Sequence, residues 1–287
     1  MAIHPARRLW QTLETLHDVA YFAPEVRDVG IATGLKGYWM TYFAFRAAPL
    51  GPVGAPAVIA SFANFNPEMV SRAIPDAWSR ATPEQCLAAR ATVTTAALRG
   101  IGVDPAAAGR AVELLAPALK RLDVTGRPLA AANAALPVPT DPVGALWQTT
   151  ATLREHRGDG HTAALVAAGV SGLESHLLQA AAGRFSGKLM RTVRGWSEED
   201  WSKTDARLRD RGLLAGSDKA TLTDSGWAAL DEVEAHTDRA AWSGGLAILG
   251  EDGVADVVDV LAPAVDAMWA SGIIPDINPT GLPPHKS

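Results

Sequence analysis

The sequence predicts a mainly helical protein built from two related halves, and three observations carry that prediction. Apolar residues recur at helical spacing through most of the chain. Short segments of the first half return, in the same order, in the second. Only one region has the turn chemistry of paired strands. With 48% of its 287 residues apolar and 20% charged, the composition is that of a globular protein long enough for one large domain or two ordinary ones.

In chain order, PARRLWQTLETLHDVAYF (5–22) and LKGYWMTYFAFRAA (35–48) carry the 3.6-residue pattern of helices. At 82–85, Thr82-Pro83-Glu84-Gln85 is a capping box with proline at the first helical position, so a helix starts there. LPVPTDP (136–142) reads as a rigid linker. In the second half, Ser197 followed by Asp200 opens a helix to Arg211, which Gly212 ends. Leu213-Leu214 and Ala220-Thr221-Leu222 flank the turn residues 215–219 as two short strands, and Thr223 or Asp224 starts the next helix. Helix, two-stranded wing, helix is the plan of a winged helix. The first half lacks the wing: after Asn66-Pro67-Glu68 it passes through Pro75 to the next helix.

The repeat is explicit. Leu9-Trp10-Gln11-Thr12 returns as Leu146-Trp147-Gln148-Thr149, Gly30–Leu35 is echoed by Gly169–Leu173, and Leu115-Ala116-Pro117-Ala118 recurs as Leu261-Ala262-Pro263-Ala264. The seam is expected near Pro137–Pro142, giving units 1–138 and 139–287, with the intact winged helix near 173–234 and a degenerate one in the first unit.

The phrase RLRDRGLL…LTDSG resembles the corresponding region of MarR-like regulators. Along nearly its whole length the chain also resembles a family of actinobacterial proteins of unclear function, labelled SalK-type or helix-turn-helix. That likeness rests on HDVAYFAPEV (17–26), FRAAPLGPVG (45–54), LREHRGDGH (153–161) and SGIIPDINPTGLP (271–283). It implies a two-part helical fold, here two MarR-like repeats forming a pseudo-dimer, with a ligand pocket between the long helices and the winged helix. It implies no particular reaction.

LREHRGDGHTAAL (153–165) is the chemically richest stretch. As a metal site, His156, Asp159 and His161, joined by Glu155 or His17, supply ligands for a divalent cation; a histidine could also ligate haem, although no attachment motif is present. As an acid/base site, a histidine held by Asp159 or Glu155 transfers protons while Tyr21 or Arg46 stabilises charge. As architecture alone, Gly158 stops one helix and Asp159 caps the next. The expected site joins His17, Tyr21 and His161 as reacting groups with Glu25, Trp39, Phe43, Arg46, His156, Arg157 and Asp159 around the ligand, the arginines attracting an anionic part.

Other classes are disfavoured. The chain has no phosphate loop, dinucleotide fingerprint, nucleophile elbow or H-E-x-x-H. Its single cysteine, Cys86, can form neither an internal disulfide nor a cysteine zinc cage. No signal peptide or membrane span is visible, so a cytoplasmic monomer or homodimer is expected.

DNA binding is the alternative function, through Lys203, Arg207, Arg209 and Arg211. Charge opposes it. Residues 141–287 hold 13 basic against 21 acidic side chains, and the expected recognition helix begins Glu198-Glu199-Asp200. Binding of a small molecule or cofactor between the repeats, with acid/base or haem- or metal-assisted catalysis on it, is the leading expectation.

Overall fold

A computed structural model describes residues 3–216 and 219–283. The chain is mainly helical. The first stretch comprises α1 (Pro5–His17), α2 (Val19–Phe22), α3 (Glu25–Ala32), α4 (Gly37–Ala47), α5 (Ala55–Ser61), α6 (Pro67–Ala73), α7 (Pro83–Gly100), α8 (Pro105–Leu119) and α9 (Pro128–Ala134). The second comprises α10 (Pro142–Ala167), α11 (Gly172–Ala181), α12 (Gly187–Val193), α13 (Glu198–Asp210), strands β1 (Leu214–Ala215) and β2 (Thr221–Leu222), α14 (Asp224–Ser243) and α15 (Gly250–Ala270).

Most helix starts follow local chemistry. Proline opens α1, α6, α7, α8, α9 and α10, where its missing N–H costs nothing. Thr82 with Gln85, Ser171 with Glu174 and Ser197 with Asp200 form reciprocal capping boxes. Thr223, not Asp224, caps α14. Gly212, at φ +70°, follows α13, and the wing pairs Leu214 with Leu222 and Ala215 with Thr221. Ser217 and Asp218, expected in the wing turn, lie outside the described residues. Between α6 and α7 there is a short 3₁₀ turn, Asp76–Ser79, and among the described residues no strand.

The break expected at Gly158-Asp159-Gly160 does not exist: α10 runs through it. Two interior glycines cost about 1 kcal/mol each relative to alanine, and packing outweighs that penalty. A Cβ at Gly160 would meet Ala240 and Arg127 at 3.7–3.9 Å, ordinary contact distances, so the helix is held through this stretch by its packing on α8, α9 and α14. Asp159 caps no helix that follows it. Its carboxylate instead receives the Ala130 N–H at 3.0 Å, binding the first turn of α9 from the side.

The long helices pack reciprocally: α1 lies on α15, α10 lies on α8, and α1 crosses α10. Their shared core includes Leu9, Leu16, Phe43, Leu115, Leu146, Trp147 and Leu261, all nearly inaccessible to solvent. A second apolar cluster, with Leu173, Leu177, Leu208, Leu214, Leu230 and Val233, holds α11, α13, the wing and α14 together. The α11–α14 region is therefore a unit with its own core, docked against the helical body. No single helix among the described residues is long and apolar enough to cross a membrane.

Candidate functional site

Between the helical body and the α11–α12 region lies a cavity of about 730 Å³. One stripe of α1 (Arg7, Trp10, Glu14) and one of α10 (Arg154, Arg157, Gly158, His161) form opposite walls, each at the i, i+3, i+4, i+7 spacing of a single helix face. Tyr42 and Arg46 of α4, Phe62 and Phe65 after α5, His176 of α11 and Arg194 at the end of α12 complete the lining. The segment Asp276–Pro283 crosses one side. Gly158 contributes by lacking a side chain, which leaves the cavity open at that point.

The cavity has two charged ends. At the first, Arg46 donates to both oxygens of Glu155 (Nε 2.8 Å, Nη2 3.0 Å), and Arg154 bridges Glu155 (3.0 Å) and Glu14 (3.3 Å). Burial alone would raise the Glu155 carboxyl, but Arg46 and Arg154 outweigh it and hold it at about 2. Arg194 lies over the Phe65 ring at 4.4 Å and donates from Nη2 to the Pro279 carbonyl at 2.9 Å. Its Nε is buried without a partner, and among the described residues no carboxylate pairs with it. At the second end, Arg7 and Arg157 face Asp238 at 2.7 and 2.8 Å, and Arg7 also meets Glu234 at 3.1 Å. Two cations there meet two anions.

The imidazoles on the wall are neutral. Burial, with Arg194 adding to it, pushes His176 down to about 3, and burial lowers His161 as well. His161 places Nδ1 3.0 Å from the Thr237 hydroxyl, and His176 places Nε2 3.3 Å from the Asn64 carbonyl.

Three expected site residues, Arg46, Arg157 and His161, line this cavity together. His17 and Tyr21 sit one layer deeper, on a separate cavity of about 20 Å³ shared with Arg46, Glu155, Arg90 and Trp147. His17 stacks on Trp147 (5.4 Å between ring centroids), its Nδ1 has no partner, and burial holds it well below its ordinary pKa, with Arg154 adding to that effect. The Tyr21 hydroxyl is likewise buried without a partner.

The remaining placements correct the expectation. Glu25 is exposed in the first turn of α3, because Pro24 interrupts the chain after α2 and a new helix carries Glu25 outward. Phe43 and Trp39 pack within the aromatic cluster of Tyr38, Tyr42 and Phe65 and line neither cavity. His156 approaches the Asp123 carbonyl at 3.1 Å, and Asp159 serves α9. His156 and His161 are five residues apart on one continuous helix, about 140° around it. They therefore cannot close on a metal with His17.

The described side chains that bring metal-ligating atoms together are Glu14, His17 and Asp18, with those atoms within 4.8 Å of one another. Arg46, Arg90 and Arg154 all act on His17 electrostatically, a positive surrounding that opposes a dication there. His161 and His176 are the two imidazoles on the larger cavity wall, and a macrocycle in that cavity would find its axial nitrogen there.

On α13, three of the four expected DNA-binding residues are paired with acids. Lys203 meets Glu199, Arg209 meets Asp205, and Arg211 meets Glu174 of α11. Among the described residues, Arg207 bonds the Thr204 hydroxyl and no acid. The helix carries five acidic against three basic side chains.

Sequence reasoning missed Glu14, Glu155 and Arg154 as one network, and it gave Arg194 no place in the site. The one available signal was spacing: Glu14 lies four residues after Trp10, whose indole N–H it accepts at 3.0 Å.

No curated protein and no solved structure matches the chain. A family model described as a helix-turn-helix family matches residues 6–275, nearly the whole sequence, and the protein belongs to that family.

Proposed function

We propose that the chain is one MarR-like winged-helix unit written twice, residues 1–138 and 139–287, and that it binds a small organic anion between the two copies. Arg194 carries this reading. It is a guanidinium set over an aromatic ring, with no acid partner, beside a cavity large enough for a drug-sized molecule. An uncompensated charge in such a place is costly unless a counter-charge arrives with the ligand.

The reciprocal packing supports the duplication. If α1 corresponds to the start of α10 and α8 to α15, then α1 on α15 and α10 on α8 are the same contact seen from either copy, as two-fold symmetry requires. α7 and α14, each capped by a threonine, then correspond as well, and the short 3₁₀ turn at 76–79 replaces the wing of the second copy. One chain supplies both halves of the pocket, so the reading needs no second chain.

Any proton transfer on the ligand falls to His161 or His176, the neutral imidazoles at the wall. His17 and Tyr21 act one layer behind, as supports of the Glu155 network.

The test is titration with anilinonaphthalene sulfonate, an aromatic anion that fluoresces when desolvated. One saturable site is expected in the wild type, and its loss in Gly158→Leu, whose side chain would enter the cavity from an intact α10. Absence of saturable binding, or binding indifferent to that substitution, contradicts the reading.

Family membership and the order of α11, α12, α13 and wing favour a second reading, a ligand-responsive DNA-binding regulator. The acid-paired α13 opposes it. Binding to duplex DNA at low salt, lost steeply as salt rises, would support it, and no binding at low salt would remove it.

A further inference from the structure

We propose that the ligand of this cavity carries two negative charges in one group, as a phosphate monoester of a planar organic body does. The inference rests on the cavity being the binding site.

It follows from an imbalance confined to one end. Around the Glu155 network stand Arg46, Arg90, Arg154 and Arg194, against the carboxylates Glu14 and Glu155. Arg90 belongs to the count because it lines the small cavity with Arg46 and Glu155; burial lowers it only to about 10, so it stays charged near neutrality. The formal excess is two positive charges, and the exposed lining residues Arg184 and Asp276, one of each sign, leave it unchanged.

Asp18 does not reduce that excess, and hydrogen accounting says why. The Thr280 hydroxyl lies 2.8 Å from Asp18 Oδ2 and 2.8 Å from Asn278 Oδ1, and it has one proton to give. Asn278 Oδ1 is an acceptor that also receives the Leu282 N–H at 3.1 Å. Both short contacts are satisfied when Thr280 donates to Asn278 and a protonated Asp18 donates to Thr280. Complete burial, with Glu14 nearby, pushes the Asp18 carboxyl well above its ordinary range in agreement. His17, His161 and His176 are all lowered and remain neutral.

A monoanion would leave one of the two charges unanswered in a desolvated site. A dicarboxylate with separated ends would carry its second charge toward Glu234 and Asp238, which already balance Arg7 and Arg157. A phosphate monoester holds nearly two charges in one tetrahedral group near neutral pH. Guanidinium groups match its oxygens in geometry. Phe62 and Phe65 are buried in this wall with Arg46 and Arg194 stacked on their rings at 4.1 and 4.4 Å, so the guanidinium groups, backed by apolar rings, are what the wall presents to such a molecule.

Phenyl phosphate and phenyl sulfate have nearly the same shape and differ by one charge. Titration calorimetry of the full chain at low ionic strength, at about pH 7.5 where the phosphate ester is mainly dianionic, is expected to show phenyl phosphate binding tighter by about tenfold or more. Arg194→Met should remove most of that preference, with a thermal melt confirming the fold. Equal affinities, or a preference for the sulfate, would overturn the dianion inference and leave the anion cavity standing. If neither probe binds at millimolar concentration, both fall.

Discussion

The two charged ends of the cavity are built from the same residue types and do opposite things. At the α14 end, Arg7 and Arg157 are matched in charge by Glu234 and Asp238, which ties α1, α10 and α14 together, although Arg157 Nη1 and Asp238 Oδ1, 2.8 Å apart, are not aligned as a hydrogen bond. At the α4 end, Glu155 serves two arginines at once, Glu14 shares one of them, and Arg194 has no acid among the described residues. The two ends differ not in arginine count but in the ratio of guanidinium to carboxylate within hydrogen-bond reach, and on the proposed reading that ratio marks the α4 end as the one that receives an anion.

The sharpest way to break the comparison is to remove the shared acid. Glu155→Gln leaves Arg46 and Arg154 buried without their main partner, and breaking a buried pair from one side costs about 3–5 kcal/mol. Urea unfolding is expected to show a loss of that order. Asp238→Asn should cost less, about 1–3 kcal/mol, because Glu234 still serves Arg7 and approaches Arg157. Equal losses at the two ends would contradict the distinction.

Acid should weaken the molecule through its histidines before it reaches Glu155. His156 and His176 titrate at about 4 and about 3 in the fold, against an ordinary 6.5, so the unfolded chain takes up protons first. Their stabilising contribution is complete above pH 6.5 and declines as pH falls from there toward their folded values. Glu155 is depressed from 4.5 to about 2, so its contribution is lost only between those values. Stability measured by denaturant midpoint should thus decline from pH 6.5 downward, and His176→Gln should flatten the slope. A stability flat from pH 6.5 to 5 would contradict this.

Smaller still is Gly158→Ala. The added Cβ would lie 3.7 Å from Glu155 Oε2, an ordinary contact, and alanine favours the helix by about 1 kcal/mol. A modest rise in melting temperature is expected. Arg207→Ala, on the exposed face of α13 with only Thr204 to lose, should change stability by less than about 0.5 kcal/mol.

Much of the scaffold was legible because it is local. Thr82, Ser197 and the prolines at helix starts announce themselves within four residues, and the wing follows from its turn residues. The Gly158–Gly160 stretch misled because isolated propensity weighs against glycine in a helix, whereas the packing of α10 on α8, α9 and α14 holds the helix through it. Arg194 went unnoticed for a similar reason: its carbonyl accepts from Asn66 and its guanidinium reaches Pro279, contacts far away in sequence that turn it inward. The segment 276–283 reads as a terminal tail, but Thr280 meets Asp18 across 262 positions, and no local pattern encodes such a partnership. Of the expected site, Arg46, Arg157 and His161 share the cavity because they sit on the faces that helical spacing predicts.

The most direct test of the central claim compares the two ends in one experiment. Anilinonaphthalene sulfonate affinity is measured for the wild type, Arg194→Met and Arg7→Met under identical low-salt conditions, with melts to confirm folding. The account predicts a loss of about tenfold or more for Arg194→Met, corresponding to about 1.4 kcal/mol, and little change for Arg7→Met. Equal losses, or a loss confined to Arg7→Met, would contradict it.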